Sequence, residues 1–409
     1  MSTLRVVVCC LAVAGARPAA QQLRFDDVIR NLRNPDAKVR LSAVELLHDA
    51  RYPEAIGPMA ALVGDPVDDV QLAAIQAELS FYLVEDIKAR KRIGFVIEKR
   101  NAAVAQAAFN LPPSGRWPRP APEELTAALV KAIDDENPKV RLEAVYALGV
   151  IGRSPVAAAD AQGLIKALDH YDPAIRAAAA DVIGRLKVTA AGDALIKAIN
   201  DSQAPVRYSA MHALGNIHET RAVAALTEQL KYYGKGEGAW SALEALARIA
   251  DPSSVPLFKE RLADKDPNMR RAAAEGLGRA GDKSALGDLT NAATTDSSDV
   301  VRVAMAFALQ KLGQNYAQRM VDAMTSSRVI PQVQDYLLEL GPSVVPAILP
   351  FLQEPEPSIR LAIADVLGFI GGDAAVAPLQ AATQDRDPDV AAAAKRALER
   401  LKLGASARG

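Results

Sequence analysis

A block of about thirty residues recurs along nearly the whole chain. In its clearest copies the block reads Asp or Asn, then Pro, a variable residue, Val or Ile, and Arg, followed by small residues and a Leu-Gly pair. With the Arg as the reference residue of its block, Arg176 and Arg207 are 31 positions apart, and Arg270 and Arg302 are 32 apart. This regularity predicts an array of stacked modules, none of which can bury its apolar face alone.

The reference positions also reveal one interruption. They fall at Arg40, Gln71, Arg141, Arg176, Arg207, Ala239, Arg270, Arg302, Ile330, Arg360 and Ala391. The gap of 70 residues between Gln71 and Arg141 indicates an insertion. We therefore divide the chain into a leader (1–20), N-terminal repeats (21–84), a Pro-rich and basic insertion (85–122), a main repeat array (123–404) and a tail (405–409).

Each block predicts a pair of helices. Asp172 suits an N-cap, because its carboxylate accepts a free backbone N–H, and Pro173 suits the first helical position, where no N–H is needed. Apolar residues then follow with helical spacing at Ala179, Ala180, Val182, Ile183 and Leu186. Gly371 closes the corresponding stripe near the C-terminus, and we expect it to stop its helix in the left-handed conformation.

The sequence motifs of the blocks resemble those of a known family. The run from Asn137 to Arg141, followed by Ala147 to Gly152, resembles the HEAT repeat, and more narrowly the short bacterial type first associated with phycobilisome lyases. The resemblance extends from about Leu23 to Leu403. It implies an all-α fold, an α-solenoid in which about eleven antiparallel helix pairs form a right-handed superhelix. It also implies that second helices line the concave side, and that the chain acts mainly as a scaffold.

Charge and composition narrow the choice of partner. The 48 Lys and Arg residues almost balance the 49 Asp and Glu residues, giving a formal net charge of −1. Such a chain has no overall attraction to polyanions, so nucleic-acid binding would need a local basic patch. The basic cluster within 88–100 is the candidate for such a patch if it faces the groove.

The N-terminus resembles a short secretory signal. Arg5 precedes an apolar run, and small residues offer cleavage sites after Ala16 or Ala20. We expect a periplasmic or secreted protein, the alternative being a cytoplasmic protein with an unprocessed leader. The apolar run is too short to span a bilayer, and no membrane span is expected further along the chain. Both cysteines, Cys9 and Cys10, lie in this leader, which leaves a mature chain no thiol chemistry.

Two irregular segments are candidates for function. In the insertion, Arg116, Trp117 and Arg119 form a residue mixture common at binding hot spots, although a packed loop sealing the seam between repeats is the alternative. In the loop 231–240, Tyr232, Tyr233 and Trp240 could line a pocket for a ligand or peptide. Alternatively, Trp240 fills the gap left by the missing Arg of its block. A third irregularity is a shortened helix beginning near Pro331.

The repeated Arg favours a structural interpretation. Its place is the same in block after block, so we expect each Arg to pair with an acidic group or cap of an adjacent block. A donor fork repeated at every step indicates packing between blocks better than it indicates binding of one ligand.

Catalytic and metal-binding patterns are sparse. His48, His170, His212 and His218 lie in different blocks, and no spacing places two of them on one helix face as a metal pair. Deoxyhypusine hydroxylases, a HEAT-type enzyme family, hold iron with repeated His-Glu pairs, whereas this chain has such a pair only at His218. We predict no catalytic residue, no metal site and no cofactor.

The sequence therefore predicts a non-catalytic scaffold that presents a helical surface to a partner protein. Candidate contacts on the second helices lie off the Ala and Leu stripe, and they are Glu143, Tyr146, Tyr208, His212, Arg271, Glu275, Arg302 and Phe307. One alternative is an accessory enzyme of the lyase or chaperone type acting on a chromophore or peptide near Trp240. A second alternative is a nucleic-acid binder that uses the 88–100 cluster.

Overall fold

The computed structural model describes residues 24–85, 104–152 and 157–406. The chain divides after Val188 into two compact units, and each is treated by itself. Across the described residues the regular structure is helical, and β pairing is confined to one antiparallel bridge between Leu83 and Arg116. The predicted all-α class, an α-solenoid of HEAT type, is confirmed.

Unit 1 contains nine α-helices in its described part. They are α1 (Phe25–Asn31), α2 (Ala37–Ala50), α3 (Ile56–Ala60), α4 (Asp68–Ser80), α5 (Val104–Phe109), α6 (Glu123–Ala132), α7 (Pro138–Ile151), α8 (Ala158–Ala167) and α9 (Pro173–Leu186). Short 3₁₀ turns lie at Pro53–Ala55, Ala61–Gly64 and Pro113–Gly115.

Unit 2 continues the pattern with fourteen α-helices in its described part. They are α10 (Gly192–Ala198), α11 (Ala204–Asn216), α12 (Val223–Tyr233), α13 (Glu237–Ile249), α14 (Val255–Arg261), α15 (Pro267–Ala280), α16 (Leu286–Thr295), α17 (Asp299–Lys311), α18 (Ala317–Asp322), α19 (Ile330–Leu340), α20 (Val345–Ile348), α21 (Pro357–Ile370), α22 (Gly372–Ala382) and α23 (Pro388–Ser406). Its 3₁₀ turns are Thr189–Ala191, Thr220–Ala222, Pro252–Ser254, Lys283–Ala285, Ala323–Thr325, Gly341–Val344 and Leu349–Gln353.

These helices form eleven pairs in the described residues, with α5 as an extra element inside the insertion. Second helices pack on one another within each unit, as α11, α13, α15 and α17 do in unit 2. Each apolar stripe is thereby buried between neighbours, which stabilises helices too short to persist alone. The stripe predicted for α9, from Ala179 to Leu186, is buried as expected.

Helix starts follow the predicted capping chemistry. The Asp172 side chain accepts from the backbone N–H of Ala174, and Pro173 occupies the first turn. The prediction for Gly371 was wrong in detail. Gly371 stays right-handed with φ −70°, and the left-handed residue is Gly372 with φ +53°. Helix α22 follows α21 at once, so the chain reverses one residue later than predicted.

Arg360 makes the contacts expected of the repeated Arg, and we call the series of such contacts between blocks the ladder. Arg360 donates from Nη1 to the carbonyls of Glu354 and Pro355 in its own turn, at 2.7 and 2.9 Å. From Nε and Nη2 it donates to the two carboxylate oxygens of Asp385 in the next block, both at 2.8 Å. The planar fork of five donors serves both ends, which an ammonium group could not do.

The same bidentate contact recurs elsewhere. Arg40 pairs with Asp65 in unit 1, and Arg270 pairs with Asp296 in unit 2. Each acceptor also caps its own turn: Asp65 Oδ1 accepts from the N–H of Val67 at 3.0 Å, and Asp296 Oδ1 accepts from Ser298 at 2.8 Å. One aspartate thus fixes both a turn and the register between two blocks.

Hydrogen bonds also join the two blocks on either side of the insertion. Gln71 stands at the reference position of its block, and its Nε2 donates to Asp135 Oδ2 at 2.9 Å. Asn137 also donates to Asp68 at 2.7 Å across the same seam. Helix α4 therefore packs directly on α7. The repeats on the two sides of the insertion are therefore neighbours in the stack.

One helical run is apolar in composition. Residues Ile330–Gln353, among those described, are long and apolar enough to cross a membrane, contrary to the sequence expectation. A buried core helix passes the same test, and this run includes α19 and α20, which pack on α18 and α21. Gly341 and Pro342 end α19 and start a 3₁₀ turn, so the run is not one straight helix. Helix α19 itself spans 11 residues, starting at Ile330 as predicted near Pro331.

Candidate functional site

Three positions in each block face away from the apolar stripe. They lie one, five and nine residues after the reference residue on the second helix, and we call them the second-helix face. In unit 2 this face carries Tyr208, His212 and Asn216 on α11, Trp240, Glu244 and Arg248 on α13, and Arg271, Glu275 and Arg279 on α15. Helical geometry aligns residues spaced by four, so the three helices present parallel rows of polar and aromatic groups.

A Ser–His–Glu arrangement joins α11 to α13. Ser241 Oγ lies 3.3 Å from His212 Nε2, and His212 Nδ1 lies 3.8 Å from Glu244 Oε2. Burial lowers the pKa of His212, an effect that Glu244 opposes. Burial therefore disfavours the charged form of the imidazole.

Access argues against nucleophilic catalysis by this arrangement. Ser241 is only 2% exposed, within the packing of α13. The Glu244 carboxylate is held by Arg271 of the neighbouring helix. A nucleophile must reach the reacting carbon, and a hydroxyl closed off by its own helix neighbours cannot. The three residues instead tie α11, α13 and α15 together.

Glu275 is the centre of a charged network that links α15 to α19. Its carboxylate contacts Arg271 and Arg279, each at 3.0 Å, and accepts from the Tyr336 hydroxyl at 2.5 Å. Burial raises the pKa of this carboxyl, but the two guanidinium groups and the hydroxyl outweigh it and hold the pKa below its usual value. Arg279 also reaches Glu339 of α19 at 2.8 Å. A buried charge with three donors is fully compensated.

Phe307 lies underneath this network, which corrects its assignment as a partner contact. The Phe307 ring, on α17, stacks on the Tyr336 ring, with the two centroids 4.2 Å apart. The Arg279 guanidinium lies 5.2 Å from the centroid of the Phe307 ring. Phe307 is fully buried, because α19 crosses over it. Glu275 is buried too, and Arg302 donates to the carbonyl of Asp296 as part of the ladder. Phe307 and Glu275 therefore offer no free surface, whereas Arg302 is half-buried.

Two charged side chains of the second-helix face in unit 2 are exposed to solvent. Arg248 on α13 and Asp335 on α19 are exposed, and among the described residues neither has an ion-pair partner. Burial by surrounding groups raises the pKa of Asp335, while Arg248 lowers it. Asp335 is thus an exposed carboxylate that feels the charge of Arg248 without forming an ion pair with it among the described residues.

In unit 1, helix α5 of the insertion packs against the second helix α7. Glu143 of α7 accepts from the N–H groups of Val104 and Ala105, both at 2.7 Å, and so caps the start of α5. Tyr146 receives a hydrogen bond from Gln106 at 3.0 Å and is buried. The assignment of Glu143 and Tyr146 as partner contacts is therefore corrected, because α5 occupies the surface they would offer.

The end of the insertion pairs with the residues that immediately precede the insertion. Trp117 donates its backbone N–H to the Tyr82 carbonyl at 2.8 Å, and Val84 donates to Gly115 at 2.9 Å. Arg116, Trp117 and Arg119 are half-buried at this seam, as the packed-loop interpretation predicts. The basic cluster within 88–100 lies outside the described residues.

A buried carboxyl on α4 was missed from the sequence. Glu78 is 1% exposed, and among the described residues neither of its carboxyl oxygens, nor the nearby Tyr82 hydroxyl, has a hydrogen-bond partner. Burial raises the pKa of Glu78 to about 9. The signal was present: Glu78 lies seven residues after its reference residue, where the other blocks carry Leu47, Leu148, Ile183, Leu214, Leu246, Leu277, Leu309, Leu337, Leu367 and Leu398.

Two aromatic residues of the loop 231–240 take part in the ladder contacts between blocks. Tyr233 OH accepts from Arg207 Nε at 2.5 Å, taking the place of the usual aspartate. Trp240 Nε1 donates to Asp266 Oδ2 at 2.6 Å, as the gap-filling interpretation requires. Gly238 lies against the Tyr233 ring, where a Cβ would approach to 2.5 Å. Tyr208 meets Tyr233 edge-on at 5.8 Å, and Tyr232 alone is widely open, at 80% exposure.

Metal-binding groups are not clustered in the described parts of the chain. No set of three or more His, Cys, Asp or Glu residues there could hold an ion. His218 Nδ1 hydrogen-bonds to the carbonyl of Arg248 at 2.8 Å, and Glu219 is held by Arg221. The single His-Glu pair is thus engaged in packing and capping. Cys9 and Cys10 lie outside the described residues.

Comparison with family models assigns the chain. The model described as HEAT repeats matches residues 161–232, 235–310 and 328–399, and the model described as HEAT repeat matches 125–154. The first of these covers more than half of the sequence. The chain belongs to the HEAT repeat family.

Several solved structures are similar at low identity. An engineered protein is 18% identical, with coverage of 92% of this chain and 98% of that chain and a TM-score of 0.41. The complex of CpcE and CpcF of phycocyanin lyase from Nostoc is 21% identical, with coverage of 77% of this chain and 99% of that chain and a TM-score of 0.35. Human deoxyhypusine hydroxylase is 20% identical, with coverage of 68% of this chain and 96% of that chain and a TM-score of 0.29. A comparison with curated protein sequences finds no match.

Proposed function

We propose that this HEAT repeat chain is a non-catalytic scaffold that binds a partner protein on the second-helix face of unit 2. The observation that carries the proposal is the open pair Arg248 and Asp335. Most charged groups around them are paired with one another, whereas these two remain accessible and oppositely charged. Two accessible charges without ion-pair partners among the described residues favour a partner with complementary charges.

The surrounding residue types support a protein partner. Tyr208, His212 and Trp240 lie on the same face, and Arg271 lies on the next helix. Tyr, Trp and Arg are the residues that most often dominate the binding energy of protein interfaces. HEAT repeat proteins typically bind protein partners, so the family agrees with this choice. The near-zero net charge offers a polyanion little attraction.

We also propose that the protein is exported to the periplasm or beyond, on the strength of the N-terminal pattern described above. Residues 1–23 are outside the described structure. N-terminal sequencing of protein recovered from the envelope fraction tests this proposal. A mature start at Arg17 or Gln21 supports it, and an intact Met1 contradicts it.

A charge-reversal comparison tests the binding surface. Tagged wild-type chain, Arg248→Glu and Arg319→Glu serve as baits in the native envelope fraction, with quantitative mass spectrometry as the readout. Arg319 is exposed on the first helix α18 and gives a matched change of charge away from the face. We expect a protein enriched by wild type and by Arg319→Glu, and at least about tenfold less by Arg248→Glu.

Direct binding of the captured protein to purified chain completes the test. A charge swap in the partner should restore binding to Arg248→Glu. Equal recovery by wild type and Arg248→Glu, or enrichment of no protein at all, contradicts the assignment of this face.

A further inference from the structure

One ladder arginine of unit 2 lacks the acceptor that its counterparts have. Arg302 of α17 donates from Nη1 to the carbonyl of Asp296, six residues earlier, at 2.7 Å. Arg270 and Arg360 make the same contact within their own blocks, at 2.8 and 2.7 Å. Each of those two also donates from Nε and Nη2 to a carboxylate of the next block. Among the described residues, Nε and Nη2 of Arg302 have no acceptor.

The sequence of the following block explains why the acceptor is missing. Six residues before the reference residue, the other blocks carry a polar side chain, and these are Asn34, Asp65, Asp135, His170, Asp201, Tyr233, Asp264, Asp296, Glu354 and Asp385. The block after Arg302 carries Met324 at this position, and Met324 is 1% exposed. A thioether is a weak acceptor and cannot replace a carboxylate.

Other bonds hold the seam between α17 and the following block in place. Ser326 Oγ donates to Asp299 Oδ2 at 3.1 Å, and Gln332 Nε2 donates to the carbonyl of Val300 at 2.9 Å. These contacts order the surroundings of Arg302 without using its guanidinium group. The contact with the Asp296 carbonyl orients that group as in the regular blocks.

The open edge of Arg302 is accessible and its charge is not neutralised. Arg302 is half-buried, and neither Nε nor Nη2 is among the sealed, unpartnered atoms of the described chain, so solvent reaches both. The carboxylate of Asp296 is already held by Arg270, at 2.8 and 3.0 Å. Two oriented donors in one plane match the two oxygens of a carboxylate.

We propose that Nε and Nη2 of Arg302 form a binding site for one carboxylate group from outside the chain. In the regular blocks the same two donors of Arg40, Arg270 and Arg360 hold both oxygens of one aspartate, at 2.7 to 3.0 Å. The carboxylate comes from an aspartate of another polypeptide or from a small carboxylic acid. Arg302 is a reference residue and lies outside the second-helix face, so the site does not depend on the partner surface proposed above.

Nuclear magnetic resonance of arginine side chains tests the site on the full wild-type chain. The Nε–H resonances of Arg302, Arg270 and Arg360 are assigned by their loss in the corresponding Lys variants. One probe is a peptide with the sequence Leu62–Val67 and blocked ends, which carries a single carboxylate, Asp65. The other probe is acetate, and chloride at matched ionic strength is the reference. We expect a saturable shift of the Arg302 resonance, whereas Arg270 and Arg360 are occupied and should not move.

The two probes distinguish the sources of the carboxylate. Half-saturation by the peptide at a concentration at least about tenfold lower than by acetate assigns an aspartate of a polypeptide. Half-saturation at equal concentrations assigns a small carboxylic acid. The Asp65→Asn form of the peptide should leave the resonance where it was. An Arg302 shift no larger than those of Arg270 and Arg360, or an equal shift with the Asp65→Asn peptide, overturns the proposal.

Discussion

The indole Nε1 of Trp240 donates to Asp266 Oδ2 at 2.6 Å, joining two successive blocks of unit 2. In regular blocks a guanidinium group makes the corresponding link, as between Arg270 and Asp296. Ala239 occupies the reference position here, so a neutral donor one residue later has taken over the contact. The ladder is therefore defined by its donors and acceptors more than by one residue type.

Replacing Trp240 by Phe should weaken unit 2. The substitution keeps an aromatic ring but removes the N–H, leaving Asp266 one donor short. We expect a loss of about 1 to 2 kcal/mol in the free energy of unfolding, measured from urea transitions by circular dichroism. Tyr232→Phe is the control, because Tyr232 is widely exposed and should change stability by less than about 0.5 kcal/mol. Equal losses in the two variants would mean that the hydrogen bond adds nothing.

Arg360→Lys should be strongly destabilising although it keeps the charge. Arg360 is 4% exposed and donates to Glu354, Pro355 and Asp385 at once. An ammonium group cannot span these acceptors, and the unfolding free energy should fall by about 2 kcal/mol or more.

Arg221→Lys provides the comparison for that change. Arg221 pairs with Glu219 and Asp193 at an exposed site, where screening by water leaves little net stabilisation. Its urea midpoint should match that of wild type. A similar shift in Arg221→Lys and Arg360→Lys would show that burial of the ladder is unimportant.

Glu78 should make unit 1 less stable as the pH rises. The pKa of its carboxyl is about 9 in the folded chain and near 4.5 when exposed, so unfolding releases a proton between these values. Stability is thus greatest below about pH 4.5 for this group and falls as the pH rises towards 9. At pH 7 the accumulated loss is about 3 kcal/mol.

Glu78→Leu restores the residue type of the other blocks and removes this loss. We expect its stability advantage over wild type to grow by about 1.4 kcal/mol for each pH unit between 5 and 8, in urea titrations at several pH values. Glu45→Gln, at an exposed position of α2, should leave the pH dependence of wild type unchanged. Parallel pH profiles for wild type and Glu78→Leu would show that Glu78 is not buried as a neutral acid.

Glu143→Ala should release the start of α5. The carboxylate accepts from Val104 and Ala105, and no other cap of that helix is provided by α7. Hydrogen exchange of amides within Val104–Phe109 should speed up by at least about tenfold, while amides of α9 keep their rates. Glu136→Gln, at an exposed position, is the matched control. Unchanged exchange in Glu143→Ala would mean that α5 is held by its apolar contacts alone.

The repeat itself was predictable because its determinants are local. Asp172 and Pro173 specify a helix start within a few residues, and the Arg position recurs with the same neighbours, so both the caps and the ladder followed from the sequence. Gln71 could be aligned as a reference residue, yet its bond to Asp135 across the insertion required the structure. A local sequence pattern does not show which repeats pack together across an insertion.

The candidate site was less predictable because its contacts join distant blocks. Phe307 and Tyr336 stack through the path of α19, and Tyr336 reaches Glu275 from 61 positions away. Helical spacing placed Phe307 correctly on the second-helix face but could not show what covers it. Likewise, α5 covers Tyr146 through a segment with no counterpart in other blocks. Surface position within a repeat is local, whereas exposure depends on the tertiary fold.

The double duty of the ladder aspartates limits where the protein can be cut. A fragment ending at Ala280, the last residue of a second helix, keeps Arg270 but discards Asp296, so its guanidinium loses its carboxylate. Extending the fragment through Ser298 retains that aspartate together with the turn it caps. Stable truncations, and hybrids spliced from different arrays, should therefore be joined after the turn of the following block, not where a helix pair ends.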